Sequence, residues 1–217
     1  MKCLAVNAAN SELSVALVAG QECLHLFKTK ETRDQGNILL GHIQQALTAG
    51  GLGFADLDVL GVVTGPGSFT GIRLALATMR GLALAAQKPV VGISSFDLFS
   101  VTGRGSNVIA LESWREELYW RLDDGRGGCL IEPVNETPDD FMRRAAAYLT
   151  GPVVVSGDAA DKIRTRIPGA VLSENMPTAA DAARLVIKKM TDHPSIAQER
   201  PVPFYLREAD VTLPGKR

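Results

Sequence analysis

One stretch constrains this chain more than any other: Gly65-Pro66-Gly67-Ser68-Phe69-Thr70-Gly71-Ile72-Arg73. An apolar run, Val59-Leu60-Gly61-Val62-Val63, enters it, and a helix rich in small residues, predicted from Thr70 to Gln87, leaves it. Three glycines so close together demand a tight turn or a close approach of another group. Pro66 fixes its own φ, and Thr70 is placed to cap the helix. Free amides at a helix start suit an anion, and Arg73 falls in the first turn. Gly65, Gly67, Ser68, Thr70, Gly71 and Arg73 are therefore a candidate anion-contact set. The same residues also suffice for a strand-to-helix turn that binds nothing.

Common glycine motifs do not fit. A P-loop requires Lys before its Ser/Thr, and none is present. A dinucleotide fingerprint requires glycine where Thr70 stands. A nucleophile elbow requires glycines two before and two after its serine, where Ser68 has Pro66 and Thr70.

The 217 residues allow one large domain or two small ones, and a hydrophobic content of 46% is ample for a core. A formal charge of −1 supplies no global basic field for nucleic acid. Arg80 interrupts the longest apolar run, and the apolar part of the N-terminus is too short for a signal peptide, so a cytoplasmic chain with no membrane contact is expected. The cysteines, Cys3, Cys23 and Cys129, show no paired spacing and are expected to be reduced and mostly buried.

Three strands are predicted at 2–7, 12–18 and 22–28, then a polar connection from Lys30 to Gln35 and a helix from Gly36 to Ala49. Strand 58–63, the helix after the glycine stretch and strand 90–93 follow. Ser94 is placed to cap a further helix, with Asp97 completing a capping box. The stretch Thr102-Gly103-Arg104-Gly105-Ser106 marks the best boundary, giving halves 1–102 and 103–217. Beyond it come strands at 107–112, 116–122 and 128–132 and a helix capped by Thr137 with Pro138 and Asp140. Strand 152–156, a short helix, a weak strand at 170–172, a helix from Thr178 with Asp181, and an extended Pro201–Leu206 complete the chain. Each half reads βββαβαβα, an α/β architecture duplicated without any residue-level repeat.

The helix 70–87 carries small or apolar residues on two sides, Gly71-Ala75-Thr78 and Ile72-Leu76-Met79, and the helix 36–49 carries Leu39, Leu40, Ile43 and Leu47. Two such helices side by side predict a partner face built from Leu39, Leu40, Ile43, Leu47, Gly71, Ala75, Thr78 and Met79.

The glycine stretch with Gly81-Leu82-Ala83, and Pro203-Phe204-Tyr205-Leu206-Arg207 with Leu213-Pro214-Gly215, together resemble the signatures of the TsaB (YeaZ) family, also described as glycoprotease-like or peptidase M22-like. The resemblance implies a duplicated actin-like ATPase fold, related to ribonuclease H. It implies a role in threonylcarbamoyl modification of the adenosine beside the tRNA anticodon, as a non-catalytic partner of the transferase TsaD, with the ATPase TsaE completing the machinery. It also implies that tRNA is met through the complex, that ATP or ADP and metal belong to the partner proteins, and that the isolated chain can pair with itself. The sequence departs from the family pattern at Asn7-Ala8-Ala9-Asn10, where an Asp is usual, at Gln35, where a His is usual, and at Glu112-Ser113-Trp114-Arg115. Loss of the carboxylate at Asn7 weakens metal binding.

No catalytic residue and no metal ligand set is predicted. His25, His42 and His193 are widely separated, and His42 has no partner one turn away, so it reads as a packing histidine. The adjacent carboxylates Asp123-Asp124 and Asp139-Asp140 fit turn and cap roles. Ser156-Gly157-Asp158 has a single glycine where active members of the fold place an adenosine-binding turn. The alternatives are a small actin-like kinase or ATPase and a glycoprotease-like peptidase.

Overall fold

The computed structural model describes residues 1–30, 35–103 and 105–207, without the side chains of residues 35 and 37. The connection at 31–34, the Gln35 side chain, Arg104 and Leu213-Pro214-Gly215 lie outside the described residues.

The first half runs β1 (Lys2–Asn7), β2 (Leu13–Ala19), β3 (Glu22–Thr29), α1 (Gln35–Ala49), β4 (Val59–Gly65), α2 (Phe69–Ala86), β5 (Val90–Ser94) and α3 (Ser95–Phe99). The second runs β6 (Ser106–Glu112), β7 (Leu118–Asp123), β8 (Cys129–Glu136), α4 (Pro138–Ala145), β9 (Val153–Ser156), α5 (Asp161–Arg164), β10 (Val171–Leu172) and α6 (Ala179–Asp192). The sheets have orders β3-β2-β1-β4-β5 and β10-β9-β6-β7-β8. In each, the first three strands form an antiparallel meander, and the last two join parallel to the first strand. The topology is therefore repeated, and the fold is the duplicated actin-like α/β architecture expected from the element order.

Local signals explain most boundaries. Thr178 and Asp181 form a reciprocal capping box at α6. Thr137 accepts from the Asp140 amide at α4, with Pro138 in the first turn. Two expected caps differ. Ser68 caps α2 by accepting from the Gly71 amide, so Thr70 already lies inside the helix. Ser94 caps α3 through the Phe96 amide, whereas Asp97 turns away to Arg121 and Lys189. Ion pairing with two cations outcompetes a local box there.

The layers cross the boundary at 102/103. Helix α6 belongs by sequence to the second half but packs on the first sheet, where Ala179, Ala182, Ala183 and Val186 join one core with β1, β2, β4, α1 and α2. Gly61 makes the seat, because a Cβ there would stand 2.9 Å from Val186 Cγ2. With helices on both faces, Cys3, Leu4, Ala5 and Val6 are fully buried. A second core lies on β6, β7, β9, α4 and α5, around Trp120 and Phe141, whose rings meet edge-on at 4.8 Å. A third, smaller cluster joins Phe96 and Phe99 of α3 to Ile109 and Leu111 of β6 and is flanked by Phe204 and Leu206.

Burial corrects the expected partner face. Leu39, Ile43, Leu47, Gly71, Ala75 and Met79 are interior, Thr78 is half-buried, and only Leu40 is exposed, at 55%. The two stripes on α2 are neighbours around the helix and merge into one wide apolar arc seated on the first sheet. Phe69–Ala86 has the length and mean hydropathy, 1.2, of a membrane-crossing helix despite Arg80, yet here it is a core helix.

Candidate functional site: two motifs meet at the head of the first sheet

β4 is buried along its whole length and delivers Gly65 to a turn that opens with a cis Gly65-Pro66 bond. The turn lies against the β1–β2 loop. The Ser68 amide donates to the Ala9 carbonyl at 2.7 Å. A Cβ on Gly67 would lie 2.1 Å from the Ala9 oxygen, and one on Gly71 would lie 1.9 Å from the Ala8 oxygen. These glycines exist for close packing of one backbone on another. Asn7 is buried and its Oδ1 accepts from the Ala9 amide, holding the loop in shape. The Ser68 and Gly71 amides are thus satisfied within the chain, and Gly67 and Gly71 of the expected anion-contact set form a packing joint.

Arg73 turns to two aromatic rings. Its guanidinium lies 3.7 Å from the Phe69 ring centroid, and its Nε donates to the Tyr205 hydroxyl at 3.0 Å. The Phe204 amide donates to the Thr64 carbonyl at 2.9 Å, and a Cβ on Gly65 would stand 3.2 Å from the Phe204 oxygen and 2.7 Å from Ile72 Cδ1. Arg80, two turns along α2, donates to the Pro201 carbonyl. The C-terminal stretch is therefore strapped over the glycine turn, and motifs far apart in sequence form one surface. Phe69 and Tyr205 are each exposed on it. Sequence reasoning missed this convergence; the apolar, proline-punctuated 201–206 run was its one local sign.

The second half repeats the joint with fewer glycines. Gly157, at φ +106°, approaches β6 so closely that a Cβ would lie 1.9 Å from the Ala110 oxygen. Asp158 follows; it accepts from the Glu112 amide at 2.9 Å and from Asn10 Nδ2 at 3.4 Å. Burial pushes its carboxyl above the ordinary value, and the nearby Glu112 carboxylate adds to this against the hydrogen bonds. Glu112 itself pairs with Lys162 at 2.8 Å. On the other side of the junction, Asp97 receives Arg121 at 2.9 Å and Lys189 at 2.8 Å, while Arg121 also holds Asp123 at 2.9 Å. Burial raises the Asp97 carboxyl, but these two cations outweigh it and hold it below the ordinary range.

The fold class implies a nucleotide and metal between the halves, and the residues here do not fit them. Asn7 stands where a carboxylate would bind metal, and its oxygen is already engaged. Among the described residues no three His, Cys, Asp or Glu side chains group as metal ligands. The cavity beside Asn7, with Ser14, Lys28, Lys30 and Thr178 in its walls, is about 210 Å³, below the roughly 300–1,000 Å³ of small-molecule sites. His42 stacks on Phe27 at 3.3 Å, as a packing histidine does. Asp124 caps its turn by accepting from the Arg126 and Gly128 amides, which lower its pKa; Asp140 accepts from the hydroxyl of the α4 cap, Thr137, without closing the expected box; Asp123, by contrast, is taken by Arg121. Cys3 is buried with its thiol pushed up, whereas Cys129 is exposed, contrary to the expectation for a mostly buried set.

Residues 30–185 match the family model described as TsaD: tRNA N6-adenosine threonylcarbamoyltransferase. The chain belongs to the TsaD family. Within it, the chain is 27% identical over its whole length, and the whole of the relative, to the tRNA threonylcarbamoyladenosine biosynthesis protein TsaB of Escherichia coli (strain K12). It is 31% identical to TsaB of Haemophilus influenzae, over 54% of this chain and 51% of that one. The tRNA N6-adenosine threonylcarbamoyltransferase of Jannaschia sp. is 27% identical over 70% of this chain but only 41% of that protein. The structure of YeaZ from Pseudomonas aeruginosa superposes with a TM-score of 0.77 at 22% identity, covering 94% of this chain and 99% of that one. The TsaB and YeaZ likeness inferred from the two motifs therefore extends over the whole fold.

Proposed function

We propose that the chain acts in tRNA threonylcarbamoyladenosine biosynthesis, in the cytoplasm, as a non-catalytic partner of a TsaD transferase. The observation that carries this reading is the use of both glycine turns for internal packing: Gly67 and Gly71 abut Ala9 and Ala8, and Gly157 abuts Ala110. The Ser68, Gly71 and Ala159 amides are taken up within the chain, and no carboxylate accompanies the first turn. Nucleotide and metal chemistry then falls to partners, TsaD and the ATPase TsaE, and tRNA is met through the assembled complex. Full-length similarity to TsaB supports the pathway. A kinase reading lacks the metal carboxylate, and a peptidase reading lacks a metal or nucleophile constellation among the described residues.

The partner face is the outer side of α1 and the adjoining part of α2, where Leu40 is exposed, Ala77 is exposed and Thr78 half-exposed. Sedimentation velocity with TsaD from the same cell tests this. Leu40→Arg and Ala77→Arg each weaken association by at least about 2 kcal/mol, the scale of a buried hot spot, with unchanged melting of the chain alone. Unaltered association moves the interface to the second half around Trp114, and absence of any association removes the proposal. The same face can pair with a second copy when TsaD is absent.

A further inference from the structure

Beyond that face, α2 ends at Gln87, whose left-handed backbone leads into Lys88-Pro89 and β5. The helical turn Pro194–Gln198 returns beside β5. Between them lies an open groove of about 870 Å³. Ala83, Leu84, Pro89, Val90 and Ala197 give it apolar walls. Leu84 is 82% exposed, barer than any other large apolar side chain among the described residues. A single exposed leucine is ordinary, but one that walls a groove is not placed at random on a surface.

The charged side chains that line the groove have one sign. Arg80, Lys88 and Arg200 line it, and no carboxylate does. Arg80 donates to the Pro201 carbonyl and Lys88 to the Ala55 carbonyl at 2.7 Å, so both are positioned by dipoles rather than neutralised by charges. Arg80 Nε is buried without an acceptor, so only the outer part of its guanidinium faces the groove. Cations of one sign over an apolar wall focus a positive potential into the groove.

We propose that this groove docks an acidic segment of a partner polypeptide, whose apolar side chains enter between Leu84 and Ala197 while flanking carboxylates meet Arg200, Lys88 and Arg80. The charge pattern selects the sign of the partner, and the apolar walls select a peptide over a nucleic-acid backbone. Single-stranded nucleic acid would need aromatic platforms for its bases, and none lines the groove. The proposal does not rest on the TsaD reading, but Leu84 lies two turns beyond Ala77 on the same side of α2, so Arg200, which lies off the helix, is the position that separates this groove from the partner face.

The test uses the full chain, isotope-labelled for amide NMR, and three probes: a short peptide alternating glutamate with leucine, the same peptide with lysine for glutamate, and a single-stranded oligouridylate. The acidic peptide is expected to shift the Gly81, Leu84 and Ala197 amides saturably, and to weaken as salt rises. Leu84→Glu and Arg200→Glu, which melt as the parent does, each reduce its affinity at least tenfold. The lysine peptide and the RNA leave these amides in place. The proposal is overturned by the absence of saturable shifts at millimolar acidic peptide, by equal binding of the lysine peptide, by RNA shifting the same amides, or by full affinity in Arg200→Glu.

Discussion

The turn after β4 and the turn after β9 stand at equivalent places in the two halves, yet their residues differ. The first carries Gly65, Gly67 and Gly71 and no ionisable side chain before Arg73; the second carries Gly157 alone, followed by Asp158. Both press backbone onto the first strand of their own sheet or the loop that leaves it, at Ala8 and Ala9 in one half and Ala110 in the other. The first turn is then closed over by the C-terminal strap through Phe204 and Tyr205. The second reaches across the junction, from Asp158 to Asn10. One turn therefore seals a half, and the other links the two.

The largest expected effect comes from filling the glycine contacts. Gly71→Val and Gly157→Val should each lose about 3 kcal/mol or more in urea unfolding, since a Cβ cannot share space with a fixed carbonyl and Gly157 also has a positive φ. Gly81, with nothing within 4 Å of a Cβ, is the contrast: Gly81→Ala should stabilise the helix by up to about 1 kcal/mol. A stable Gly71→Val would break the comparison at its root.

A smaller effect separates the two sides of the junction. Asp97→Asn removes the charge that Arg121 and Lys189 share and one of its two acceptor oxygens, and should lower stability by about 1–2 kcal/mol, a value discounted for the partial exposure of all three groups. The loss should shrink in high salt, and chemical denaturation at two ionic strengths measures it.

The smallest effects are in pH dependence, where the two aspartates have opposite signs. The folded-state pKa of Asp97 is lowered, so its stabilisation is present above the unfolded value and lost as pH falls through the folded one. The folded-state pKa of Asp158 is raised, so the folded state holds its proton longer and stability falls as pH rises from the ordinary carboxylate value through the raised one. Asp158→Asn should remove that fall and shift stability at neutral pH by no more than about 1 kcal/mol, toward greater stability. Melting temperatures of the parent and both variants across the acidic range sharpen the contrast; parallel profiles would contradict it.

Much of this fold was legible because its signals are local. Alternation at Leu13, Val15 and Leu17, the proline and threonine at 137–138, and the box of Thr178 and Asp181 need only a few residues to act. Which surface covers a helix is not local. Ala75 and Met79 read as a face for a partner, and the first sheet takes them instead. Nothing in the sequence of α6 says that it crosses to the other half, although its run of small residues permits the close seat at Gly61. The glycine stretch was legible as a place where groups approach closely, but the approaching groups, Ala8, Ala9 and Phe204, come from elsewhere in the chain.

On the function proposed above, neither turn serves a nucleotide. The most direct measurement is ATP turnover by the pure chain with magnesium, beside Asp158→Asn prepared in the same way. No turnover above background is expected in either protein. Turnover at about 1 per second or faster, an ordinary enzymatic rate, that disappears in Asp158→Asn would contradict that function and make the space between the halves an active site.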